Sequence, residues 1–295
     1  MLSGEWCMII IMSLIYKHPW LLFSGLLLFI TFSYHEAASS PVLEPTVEVP
    51  QYQISGTTPT LSATAFGVYD LKSGEMLISN NETTSLPIAS VTKLATASVL
   101  ASNYALETTA PITATDLLAE GRAGKLEVGE QYTYRELIFP LLLESSNDAA
   151  EFFSRVSEGS LIEEMNHLAE KLKLVQTNFA DSSGLSDKNV SSVSDLQQLM
   201  RYVYEETPLV LDISRLRKYV GPYKGWVNNS PIWHDDYRGG KHGFTEAANR
   251  TALALYEEEF VGGKKLLIYV ILGSDNLAKD MEILRDFIKT GVTYE

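Results

Sequence analysis

Strand-forming segments sit near both ends of the chain, and a long stretch of helix-period sequence separates them. "ATAFGVYDLKSGEMLISNN" alternates apolar and polar residues on either side of "DLKSGE", which predicts a β-hairpin turning at Lys72-Ser73-Gly74. "RTALALYEEEF" and "KKLLIYVILGS" predict a second hairpin, joined through Gly262-Gly263. Between them, "TYRELIFPLLLESSNDAAEFFSRV", "LIEEMNHLAEKLKL" and "SVSDLQQLMRYVYEE" carry apolar residues three and four apart, the spacing of amphipathic helices. A closing helix, "LAKDMEILRDFIKTGV", sets Leu277, Met281, Leu284 and Ile288 on one face. Strands this far apart in sequence share one core only by pairing across the intervening helices. The expected class is therefore α+β, an antiparallel sheet with a helical lobe inserted over about residues 102–228.

The N-terminal region has a different character. "HPWLLFSGLLLFITFSY", residues 18–34, is almost wholly apolar and follows Lys17. Residues 1–36 are read as a membrane anchor or signal segment, with the flanking lysine on the cytoplasmic side and everything downstream exported. Residues 37–61 are rich in Pro, Ser, Thr and Val without helical period, and are read as an extended linker to a domain spanning 62–295. A net charge of −14 argues against a nucleic-acid partner, whose phosphates would be repelled. One cysteine, Cys7, excludes an intrachain disulfide and a thiolate cluster, and the five histidines show no HExxH spacing, so no metal or other cofactor is expected.

The chemistry-bearing stretch is "PIASVTKLATASVL", where Ser90 and Lys93 lie three residues apart in small, apolar surroundings. Residues i and i+3 share a helix face, so the two side chains can touch. Pro87 disfavours helix before it and puts Ser90 near a helix N-terminus, where free backbone N–H groups favour an oxyanion. A serine hydroxyl needs a base, and a lysine serves as one when burial or a neighbouring positive charge lowers its pKa. Alone, the spacing is better read as a surface helix lysine. Two further segments stand beside it. "LLLESSNDAAEF" places Ser145-Ser146-Asn147 after an apolar helix, as a helix cap or as site residues. "YRGGKHGFTEAANRTALALY" places Lys241 and Gly243 at the start of the late strands, as a turn with a solvated lysine or as a third site element.

The three segments, in this order, resemble the low-molecular-mass penicillin-binding proteins, the serine D-alanyl-D-alanine carboxypeptidases, with a Ser-x-x-Lys, a Ser-x-Asn and a Lys-x-Gly motif. The resemblance covers about residues 62–292 and includes "VYDLKSGEMLISNNETTSLPIASVTKLATA" and "NFADSSGLSDKNVSSVSDL". It implies a five-stranded antiparallel sheet flanked by helices, plus an all-helical lobe. It also implies that Ser90 is the acylated nucleophile and Lys93 its general base. Ser145 would pass protons, the Asn147 amide would hold the substrate backbone, and Lys241 would keep the Lys93 pKa low and attract a carboxylate. Gly243 would let the strand approach the substrate closely, the N–H groups of Ser90 and Phe244 would form an oxyanion hole, and His242 and Thr245 would complete the substrate-binding strand.

Two features depart from the family pattern. His242 stands where relatives usually carry Thr or Ser, which implies carboxylate recognition that varies with pH. The chain also stops soon after its last helix, so the N-terminal segment is the expected anchor. The implied function is removal of the terminal D-alanine from peptidoglycan stem peptides outside the cytoplasm, with β-lactams as acylating inhibitors. A DD-endopeptidase on the same fold and a catalytically inactive wall-binding homologue are the alternatives. A β-lactamase is disfavoured, because no Glu-x-x-x-Asn segment lies between the second and third motifs.

Overall fold

A computed structural model describes residues 51–121 and 123–295. The apolar run at 18–34 and the first part of the linker lie outside the described residues. No helix among the described residues is long and apolar enough to cross a membrane.

The chain enters through β1 (Tyr52–Ile54) and the predicted hairpin, β2 (Ala65–Asp70) and β3 (Met76–Asn80). Helices follow: α1 (Thr92–Asn103), α2 (Tyr134–Leu143), α3 (Asn147–Val156), α4 (Leu161–Lys171), α5 (Val193–Glu206) and α6 (Pro208–Ser214). β4 (Tyr237–Thr245), β5 (Asn249–Phe260) and β6 (Gly263–Ser274) return to the sheet, and α7 (Leu277–Gly291) and β7 (Val292–Tyr294) close the chain. The five-stranded sheet has the order β4-β5-β6-β2-β3, antiparallel throughout. The two predicted hairpins thus join through β6 and β2, and β4 is left as an edge strand.

Both sheet faces are covered. Leu253, Leu255, Ile268 and Val270 project into the core shared with the helical lobe. The alternate residues, among them Ala252, Ala254 and Tyr269, face Leu277, Met281, Leu284 and Ile288 of α7, the stripe read from the sequence. Short ladders run between the helices of the inserted lobe, at 109–111 with 131–133 and at 218–220 with 225–227.

One segment differs from its sequence reading. Tyr52–Ile54, assigned to the extended linker, is a strand paired with Val292–Tyr294. Its anchor is Tyr52, whose ring meets Phe260 and Tyr294 and whose hydroxyl donates to Asp70 at 2.6 Å. Three extended residues are too few to show a period, and their partners lie at the far end of the chain.

Candidate active site

Ser90 occupies the one-turn 3₁₀ segment Ala89–Val91 that leads into α1. Pro87 upstream is in a two-residue strand paired with Val190, which holds the approach to Ser90 extended. Ala89 adopts φ 48°, a left-handed backbone that costs a non-glycine residue about 1–2 kcal/mol. Such strain persists only where surrounding contacts impose it. Here Thr251 Oγ1 on β5 donates to the carbonyl of Ile88 at 2.8 Å. From β4, a Cβ on Gly243 would stand 2.5 Å from the backbone nitrogen of Ser90. No residue larger than glycine fits there without moving the nucleophile, so Gly243 sets the strand against Ser90 itself.

Lys93, one helical turn on, is fully buried. Its Nζ donates to Ser90 Oγ at 3.2 Å, to Asn147 Oδ1 at 2.7 Å and to the carbonyl oxygen of Ser183 at 2.5 Å. Burial pushes its pKa well below the ordinary lysine value, the positive charge of Lys241 pushes it further, and Asp181 pulls the other way. Lys241 is also buried and donates to the carbonyl of His242 at 2.6 Å. Burial brings its pKa down to about 7.

The second motif serves both roles considered for it, through different residues. Ser146 is the N-cap of α3 and accepts from Ala149 N at 3.0 Å. Asn147 begins that helix and turns Oδ1 to Lys93, while its Nδ2 donates to the carbonyl of Glu120 at 2.7 Å. Ser145 sits between the helices at φ 60° and is hydrogen-bonded to none of Ser90, Lys93 and Asn147.

Within the third motif, pleating separates the side chains. Lys241 pairs with Leu253 and lies on the Ser90 face, whereas His242 pairs with Ala252 and lies on the face toward α7. The His242 ring makes no hydrogen bond, and burial together with Lys241 holds its pKa down to about 2. Burial and Lys241 thus disfavour the charged ring in the free protein, against the pH-dependent recognition expected of this histidine. Phe244 is 58% exposed at the rim with the Arg250 guanidinium over its ring, and Thr245 Oγ1 accepts from Ala248 N in the turn to β5.

Three further residues belong to the site and were missed as site residues in the sequence. The loop "DSSG" brings the Ser183 carbonyl to Lys93 and Gly184 against Ala89, with the Asp181 carboxylate behind them. A Cβ on Gly184, at φ 86°, would stand 2.0 Å from the carbonyl oxygen of Ala89. The Asp-x-Ser-Gly pattern announces a tight turn, but nothing local says what that turn faces.

The arrangement fits nucleophilic acyl transfer: a hydroxyl at a helix start, a buried amine with a depressed pKa, and a second cation behind it. Known proteins agree. The profile of the D-alanyl-D-alanine carboxypeptidase family matches residues 52–276. A D-alanyl-D-alanine endopeptidase of Haemophilus influenzae is 36% identical over 166 residues, covering 55% of this chain and 56% of that protein. The chain thus spans about half the length of that curated relative. The crystal structure of a D-alanyl-D-alanine carboxypeptidase from Mycobacterium tuberculosis superposes with TM-score 0.73 at 26% identity, over 79% of this chain and 93% of that one. Penicillin-binding protein D2 from Listeria monocytogenes, in its cefotaxime-bound form, gives TM-score 0.69 at 25% identity, over 79% and 98%. Because the family match takes in all three motifs and the shared fold carries them to one place, the chain belongs to the D-alanyl-D-alanine carboxypeptidase family of serine hydrolases.

Proposed function

We propose that the protein is a serine DD-carboxypeptidase that removes the terminal D-alanine from peptidoglycan stem peptides through an acyl-enzyme on Ser90. The observation that carries this reading is the buried, pKa-depressed Lys93 within 3.2 Å of the Ser90 hydroxyl. In its neutral form Lys93 takes the hydroxyl proton as Ser90 Oγ attacks the carbonyl carbon of the penultimate D-alanine. The C–N bond then breaks, the terminal D-alanine leaves as an amine carrying a proton, and water hydrolyses the ester. Lys241 attracts the free carboxylate of the terminal residue. The N–H groups of Ser90 and Phe244 receive the oxyanion, a device whose loss of one donor costs about a hundredfold or more in rate. Ser145 and Thr245 line the walls beside them.

A DD-endopeptidase is the second reading, favoured by the name of the Haemophilus influenzae relative. It uses the same acyl-enzyme with a crosslinking amine as leaving group. Outside the described residues, the apolar run at 18–34 supports anchoring of the domain on the outer side of a membrane, which fractionation of a tagged protein tests.

Labelling with a fluorescent penicillin tests the acyl-enzyme. One adduct is expected, on the peptide containing Ser90, and none in Ser90→Ala. An adduct that persists in that variant moves the nucleophile away from Ser90, and no adduct on wild type leaves an inactive wall-binding homologue. Free D-alanine from a pentapeptide, against monomers from a crosslinked dimer, separates carboxypeptidase from endopeptidase.

A further inference from the structure

Asp181 touches none of the groups that would meet substrate, yet its carboxylate collects five donors. Oδ1 accepts from Ser183 N at 2.7 Å, Ser183 Oγ at 2.9 Å and Gly184 N at 2.6 Å. Oδ2 accepts from Ser186 N at 2.6 Å and Asn189 Nδ2 at 2.9 Å. Burial alone would raise the pKa of this carboxyl, but these bonds outweigh it and the net shift is downward, so the group stays ionised. Asn189, itself fully buried, returns its Oδ1 to the backbone N–H of Ala180 at 3.0 Å and offers its carbonyl to Ile88 N at 3.0 Å. The loop 181–189 is thereby wound around one carboxylate and tied to the strand leading into Ser90.

The product of that winding is the position of the Ser183 carbonyl, 2.5 Å from Lys93 Nζ. A neutral amine has two N–H groups and one lone pair. Of the three partners of Lys93, the Ser183 carbonyl and Asn147 Oδ1 can only accept, so they retain the two N–H groups on deprotonation. The lone pair then falls to the third partner, the hydroxyl of Ser90, which is the orientation proton transfer needs.

We propose, resting on the acyl-enzyme reading above, that Asp181 is a positioning residue. It holds the loop 181–189 so that the Ser183 carbonyl directs the free-amine lone pair of Lys93 at Ser90. The charged groups facing Lys93 are Lys241 from β4 and Asp181 itself. Behind Asp181, α3 brings Glu151, whose pKa is raised by burial, then by Asp181 and Asp116, and on β4 His242 is neutral.

The test is the rate of penicillin acylation against pH for wild type, Asp181→Asn and Asp181→Glu, with amide hydrogen exchange of Ser183, Gly184 and Ser186 in wild type. Both variants are expected to acylate about ten- to a hundredfold more slowly, the cost of misplacing a reacting group by about an ångström. In Asp181→Asn the acid limb moves to lower pH, because the negative charge that favoured protonated Lys93 is gone. In Asp181→Glu, which keeps the charge, the limb stays. A merely structural role would lower thermal stability without moving the limb. Acylation of either variant within twofold of wild type, or an unmoved limb in Asp181→Asn, overturns the proposal. If the variants do not fold, exchange decides: strong protection of the three amides supports the clamp, and solvent-rate exchange removes it. If wild type is not acylated at all, the acyl-enzyme reading has failed, and the exchange result still judges the clamp.

Discussion

The positive charge of Lys241 bears on Lys93 across the seam between the edge strand β4 and the helix that carries Ser90, and both ammonium groups are buried. Neither lysine faces a carboxylate across an ion pair. Each carries a desolvation cost that a structural lysine would avoid by pairing or by reaching solvent. Perturbed pairs of this kind concentrate at functional sites, where the cost is retained for the chemistry.

Lys93→Arg should abolish acylation while keeping the charge. A guanidinium does not deprotonate in the working range, and general-base catalysis is worth about a hundredfold or more. Stopped-flow labelling with a fluorescent penicillin measures it. A variant that retains more than about a tenth of the wild-type rate would move the base role elsewhere.

Asn147→Asp places a carboxylate 2.7 Å from the Lys93 amine, where the wild type has a neutral acceptor. An adjacent negative charge favours the ammonium form, so the Lys93 pKa rises and the acid limb of acylation moves to higher pH, by about one unit or more. This is opposite in sign to the shift expected for Asp181→Asn. A limb that stays put would mean that the rate does not report Lys93.

Recognition of a substrate carboxylate should weaken as pH rises through about 7, where Lys241 loses its proton. KM for a D-Ala-D-Ala peptide is expected to worsen above that pH. His242→Thr should leave the profile unchanged, since the histidine is held neutral by burial and by Lys241 and lies on the opposite sheet face. A profile altered by His242→Thr would return that residue to the binding site.

Lys241→Met should trade activity for stability. Lys241 titrates near 10.5 when unfolded and near 7 when folded. Below 7 both states are charged and the fold bears the whole burial penalty. Between 7 and 10.5 the unfolded chain binds more protons, so the penalty fades as pH rises. The melting temperature of the variant should therefore exceed that of wild type by about 4 °C or more near pH 6, with the gap closing toward pH 10. Equal melting temperatures near pH 6 would contradict the buried, depressed lysine.

Much of this was local and therefore readable. The turn at Ser73-Gly74, the Gly262-Gly263 hairpin and the apolar stripe of α7 depend on period and turn chemistry within a few residues. The Ser90–Lys93 pair depends only on helical spacing. Tertiary structure alone decided the rest, because it turns on which distant segments share a space. It placed Asn147 Oδ1 and the Ser183 carbonyl on the same amine, and it set Gly243 against the Ser90 nitrogen. It turned His242 away from Ser90, since a strand sends neighbouring side chains to opposite faces and only the partner strand settles which face each one meets. It also drew Tyr52–Ile54 out of the supposed linker onto the last strand, for a backbone edge accepts any extended segment that reaches it.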